Sequence, residues 1–208
     1  MREMRSQILG PKHSSTLTSI ENLAWTYCDQ KRWDKAEQLQ VQVMKMRCQI
    51  LGVKHPDTLR SMENLAWTYY QQKRWEEAEQ LHVQVMEMSN QILGVKHSDT
   101  LRNMNNLALT FCQQKQWEEA AKLQVQVREM RSQILGPKHP HTLESMRNLA
   151  FTWRSQGQDK EAINLLQKTL NMQIEQLGRD HTDTVHSIAL LNKWQYSLAL
   201  RSMVTLVS

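Results

Sequence analysis

The chain has 208 residues, with 26 Lys plus Arg against 21 Asp plus Glu, six Gly, four Pro and about 40% hydrophobic residues. So few Gly and Pro argue against an all-β sandwich or barrel, which needs a turn about every ten residues, and against collagen-like or low-complexity chains. A largely helical protein is left, without an apolar run of about 18 residues to span a bilayer and without the apolar stretch of a secretion signal at its start, so an intracellular, cytoplasmic location is expected.

Five of the six glycines, Gly10, Gly52, Gly94, Gly136 and Gly178, recur at a constant interval of 42 residues. His13, His55, His97, His139 and His181 follow in the same phase, and Thr16, Thr58, Thr100, Thr142 and Thr184 come three residues after each histidine. This is an internal repeat. In chain order it divides into a second-helix remnant of a preceding repeat (1–9), four repeats (10–51, 52–93, 94–135 and 136–177), and a partial fifth repeat with a C-terminal closing helix (178–208). The first two full repeats agree at 29 of 42 positions. Arg2 to His13 restates Arg128 to His139 letter for letter, so Met1 enters partway through a unit. A free array end would expose the apolar face of Met4, Ile8 and Leu9, which predicts a truncated gene model or a fragment of a longer array. The tail from Trp194 to Ser208 leaves two readings open, a closing helix or an unrelated read-through.

Within a repeat, Leu17, Ile20, Leu23, Ala24 and Tyr27 follow the spacing of an amphipathic helix, and Ala36, Leu39, Val43, Met46 and Ile50 do so again. Pro56 suits the first helical position and Asp57 the positive end of the dipole. Gly52 suits a left-handed residue stopping the second helix, and a short Gln-Lys-Arg-Trp hinge joins the two. A lone helical hairpin cannot bury both faces, so consecutive hairpins must stack. The expectation is an all-α solenoid of antiparallel helix pairs with about ten helices.

The pattern N-L-A-x-x-Y, K-R-W-x-x-A-E-x-L and I-L-G-x-x-H-P-D-T resembles the tetratricopeptide repeats of kinesin light chains. It is similar above all to the near-identical tandem copies in the C-terminal arrays of fungal STAND proteins with a NACHT or NB-ARC domain. No G-x-x-x-x-G-K-[ST] phosphate loop accompanies it, and neither does the heptad segment that joins a light chain to its heavy chain. The resemblance implies a right-handed superhelix. It also implies packing roles for the small residues Ala24, Ala66, Ala108 and Ala150, for the aromatics Tyr27, Tyr69, Phe111 and Trp153, and for Ala36, Ala78, Ala120 and Ala162.

The resemblance further implies that the first helix of each pair lines a concave groove. A helical projection turns Asn22, Trp25, Glu21 and Asp29 away from the apolar arc. Asn22, Asn64, Asn106 and Asn148 would form a ladder whose amides suit gripping an extended main chain, or else bond a neighbouring helix to fix stacking. Trp25, Trp67 and Phe151 either pack along the inner wall or offer anchor pockets. Across the repeats Glu21 and Asp29, Arg60 and Glu63, Arg102, and then Glu144, Arg147 and Arg154 carry the groove from a net −2 to +1, which would favour an acidic ligand segment at the basic end. The expected function is therefore a protein interaction scaffold or sensor module that binds a protein or peptide segment, with other domains of a longer parent protein among its partners.

One histidine per repeat cannot converge on a metal, since repeats lie roughly 10 Å apart and zinc needs ligands at about 2.1 Å. Cys28, Cys48 and Cys112, odd in number and without C-x-x-C spacing, fit neither a zinc site nor a disulfide framework. No catalytic pattern stands out, so no cofactor, no metal and no enzyme is expected. A pI of about 9.2 admits a single-stranded RNA reader as an alternative. Lys and Arg interleaved with Glu, as in KRWDKAEQ, argue instead for solvated faces. A non-functional fragment of a larger STAND-type protein is the third reading.

Overall fold

The structure is a computed structural model that describes residues 10–207, with side chains through Arg201; the expected helix remnant at 1–9 lies outside the described residues. Among the described residues the regular structure is all helical: α1 (Ser14–Asp29), α2 (Trp33–Leu51), α3 (Pro56–Gln71), α4 (Trp75–Leu93), α5 (Ser98–Gln113), α6 (Trp117–Leu135), α7 (Pro140–Ser155), α8 (Asp159–Leu177) and α9 (Thr182–Val207).

The periodic histidine opens each first helix. Its Nδ1 accepts from the amide two residues on: from Ser15 to His13 at 3.2 Å, from Asp57 to His55 at 3.1 Å, and likewise at His97, His139 and His181. That satisfies one of the amides a helix start leaves unpaired. The threonine of the same phase ties the turn from the other side, Thr16, Thr58 and Thr142 donating their hydroxyls to the carbonyls of Gly10, Gly52 and Gly136 at 2.8 to 2.9 Å. In these three repeats the two recurring residue types brace one entry turn, whereas the Thr100 and Thr184 hydroxyls make no hydrogen bond among the described residues.

The glycine ending each second helix is not left-handed helical, as its position had led us to expect. Gly52 has φ 86° and ψ 161°, a region open essentially to glycine alone, and its amide still closes onto Cys48 at 3.1 Å. The left-handed residue sits instead where the first helix ends: Lys31 (φ 57°), Lys73 (62°), Lys115 (62°) and, in the same phase, Gly157 (83°). The bonds around it, Lys31 N–H to Cys28 and Arg32 N–H to Tyr27, both at 2.8 Å, make a Schellman cap. The Arg32 guanidinium then lies 4.7 Å above the Tyr27 ring and Arg74 lies 4.2 Å above Tyr69, so the cap is closed by a cation–π contact.

The chain forms two compact units divided between Thr110 and Phe111. In the first, Leu17, Ile20 and Val43 form one apolar cluster, and Leu59, Met62 and Val85 another. In the second, Leu143, Met146, Leu149, Leu166, Leu191 and Trp194 share a core. The tail is therefore helical to Val207, and Trp194, 4% exposed, buries its ring against the preceding pair. The repeat-phase alanines, Ala24, Ala66, Ala108 and Ala150 in the first helices and Ala36, Ala78, Ala120 and Ala162 in the second, are fully buried, and with no side chain beyond Cβ they let paired helices approach closely.

Candidate binding face

In the first unit the ladder begins with Asn22, which is exposed, and continues with Asn64 and Asn106, which are half-buried. Asn106 donates its Nδ2 to Glu63 at 3.1 Å, the neighbouring-helix role that its residue type also allows. Trp25 is 37% exposed. Its ring lies 5.1 Å from that of Trp67, tilted by 46°, and Trp67 meets Trp33 edge-on at 5.9 Å. Trp67 is thus wedged between two indoles, while one side of Trp25 stays open to solvent. In the second unit Asn148 and Arg147 are half-buried, and Phe151, 44% exposed, packs edge-on against Trp194 at 5.1 Å.

The structure weakens the charge gradient. Glu21, read from the sequence as a groove charge, is buried: Arg47 of α2 donates Nη1 and Nη2 to its two carboxylate oxygens at 2.6 and 2.7 Å. Arg47 also bonds the Asp57 carbonyl at 3.0 Å and the Ser61 hydroxyl at 2.8 Å. Helical projection places Glu21 off the apolar arc of its own helix, but a neighbouring helix covers it. Arg60 pairs with Asp57 at 2.9 Å. Arg102 grips Glu63 through Nε and Nη2 at 3.0 and 3.1 Å and reaches Asp99 at 2.7 Å, and the Glu63 carboxylate holds its guanidinium all the more firmly protonated. In the second unit Glu144 pairs with Arg131 at 3.4 Å and Arg154 with Asp159 at 3.2 Å. Arg147 and Asp29 make no ion pair among the described residues. Most of the charge is internally compensated, which weakens the case for a long-range preference for acidic ligands.

Two buried positions were missed in the sequence because they are polar, although they lie on the same helix face as the buried Ala36 and Val43. The first, Arg47, Ser89, Arg131 and Gln173, is buried in every repeat while its side-chain length changes. The second carries Gln40, His82 and Gln124. His82 sits 3.0 Å from the Thr110 hydroxyl, and burial pushes its pKa down to about 4. Burial likewise raises the Cys28 thiol, which lies 3.7 Å from Thr68; Cys28, Cys48 and Cys112 are free. Among the described residues no His, Cys, Asp and Glu cluster could hold a metal, and no helix is long and apolar enough to cross a membrane.

Stacked helical hairpins with buried alanine seams and partly exposed aromatic side chains on the first helices define a repeat scaffold. A tetratricopeptide repeat family profile matches residues 27–91 and 99–175, and the chain belongs to that family. Among solved structures it is similar to the nearly identical TPR-like repeats of a candidate kinesin light chain from Podosopora anserina, with 28% identity, a TM-score of 0.81, and 93% of this chain and 92% of that one covered. BtubC (BKLC) from P. vanneervenii shares the fold at 18% identity and a TM-score of 0.78, over 95% of this chain and 78% of that one. The apo form of RapI shares it at 14% identity and 0.71, over 97% and 76%. A comparison with curated protein sequences gives no match. The fold class is that of tetratricopeptide solenoids, typically non-catalytic scaffolds for protein interaction.

Proposed function

We propose that the first-helix faces bind an extended segment of a partner protein, as the sensor or scaffold region of a larger assembly. The observation that carries this reading is Trp25: a large indole held in place by Trp67, open on one side, next to the exposed amide of Asn22. Aromatic side chains with a fixed orientation and an exposed face are the residues that most often anchor interfaces, and the asparagine offers both a donor and an acceptor to a main chain. Within the first unit Arg60, Asn64, Trp67, Arg102 and Asn106 complete the surface; within the second, Arg147, Asn148 and Phe151 form their own.

Selection of random twelve-residue peptides against the full chain tests this. Enrichment is expected and is lost in Asn22→Ala/Trp25→Ala, checked as folded by circular dichroism because Trp25 also packs on Trp67. Equal enrichment on the variant would overturn the assignment. The RNA alternative draws no support from a face whose arginines are mostly paired, and retention of a single-stranded RNA 20-mer at physiological salt would revive it.

A further inference from the structure

The first compact unit contains its own template for a ligand site. At the first junction between repeats, the Arg47 guanidinium is held by three acceptors: the Glu21 carboxylate, the Asp57 carbonyl and the Ser61 hydroxyl. One repeat later the acceptors recur in phase as Glu63, the Asp99 carbonyl and Asn103, but the arginine is replaced by Ser89. Where the longer side chain would have lain there is a cavity of about 270 Å³ between α3, α4 and α5, and Glu63, Ser89, Asp99 and Asn103 all contribute to its wall.

Asn103 supplies an independent sign. It is 4% exposed and donates its Nδ2 to the Ser89 hydroxyl at 2.9 Å, while its Oδ1 has no hydrogen-bond partner. A buried acceptor of this kind is costly to leave unmet. The acidic and basic side chains of the wall are Asp57, Glu63 and Asp99 against Arg60 and Arg102, which leaves one negative charge. At the template junction, Arg47 itself supplies the charge that balances the set.

We propose that this cavity is a guanidinium site that takes an arginine side chain from outside the chain. The Glu63 carboxylate, the Asp99 carbonyl and the unmet Asn103 Oδ1 are all acceptors in a wall of net negative charge, which disfavours an anion, and their spread in direction suits the planar fork of a guanidinium better than a point-charge ammonium. Arg102 is the gate. It now holds Glu63 and Asp99 together, but one repeat earlier, where Arg47 occupies Glu21, the equivalent Arg60 rests on Asp57. An incoming guanidinium takes Glu63, and Arg102, 52% exposed at its side chain, retreats to Asp99 in the manner of Arg60. Glu63 also accepts from Asn106, but Asn22 and Trp25, the two residues that the peptide selection changes, are not part of this wall, so that selection and the test below fail independently.

The test is calorimetric titration of the full chain with N-acetyl-arginine methylamide. Saturable binding is expected, with N-acetyl-lysine methylamide and the uncharged citrulline analogue each at least about tenfold weaker. Ser89→Arg fills the site from within: it should abolish binding and raise the melting temperature. Glu63→Gln and Asn103→Ala, checked as folded by circular dichroism, should each weaken binding at least about tenfold, which keeps the proposal falsifiable should Ser89→Arg fail to fold. Free L-arginine and a glycine-flanked arginine peptide identify the source: tighter binding of the peptide assigns a protein partner, tighter binding of the amino acid a small molecule, and either supports the site. Lysine binding equal to arginine, undiminished binding in folded Ser89→Arg, or no heat with any arginine probe at tens of millimolar would overturn the proposal.

Discussion

His82 gives the chain a pH dependence that can be worked from the structure. The ring is 4% exposed with Nδ1 3.0 Å from Thr110, and removal from water lowers its pKa from 6.5 to about 4. Folding therefore keeps the imidazole neutral in a range where the unfolded chain binds a proton. The folded value lies below the unfolded one, so stability is complete above pH 6.5 and is lost as pH falls toward 4. The slope reaches about 1.4 kcal/mol per pH unit, and the accumulated loss is roughly 3 kcal/mol. Carboxylates also titrate at the lower end, so the measurement is a difference between wild type and His82→Gln, the residue type that Gln40 and Gln124 place in the same phase. Urea unfolding followed by circular dichroism at half-unit steps from pH 7.5 to 4.5 supplies it. A constant offset is expected above pH 7, with the variant gaining on wild type below pH 6.5. A difference that stays flat, or a His82 ring titrating near pH 6.5 by NMR, would refute the reasoning.

Three further outcomes follow from local geometry. Arg47→Ala strands the buried Glu21 carboxylate and should cost about 3–5 kcal/mol, whereas Arg47→Met with Glu21→Gln should recover most of it in chemical denaturation. Lys73→Gly relieves a left-handed side chain at the α3 cap and should stabilise by about 0.5–1 kcal/mol, read as a higher urea midpoint. Gly52→Ala must adopt φ 86° and ψ 161°, at a cost of about 1–3 kcal/mol that differential scanning calorimetry would register as a lower melting temperature.

Helix positions were legible because each repeat restates the same apolar spacing and the same punctuation. The family was legible for the same reason. The two turn types were not, because a glycine in sequence announces positive φ without saying which ψ accompanies it. Lys31, Lys73 and Lys115 carry no such announcement, though Gly157 standing in their phase is the clue in retrospect. Glu21 was misplaced because a single-helix projection cannot see Arg47, 26 residues on, arriving from the paired helix. The Ser89 site was invisible to any reading that looked for sameness between repeats, since it is a difference in side-chain length at one buried position.

The Trp25 and Trp67 rings, 5.1 Å apart and tilted by 46°, have an optical consequence. Indole transition moments so close and oblique couple, and should give the first unit an exciton couplet in circular dichroism distinct from the helical background. Trp194, buried in the second unit, should emit at shorter wavelength than a solvated indole until that core opens. With Trp117 and Trp153 also in the second unit and four tryptophans in the first, the Trp194 signal is read as the difference between wild type and Trp194→Phe, and a melt followed at that difference and at the couplet would show whether the two cores open together or one before the other.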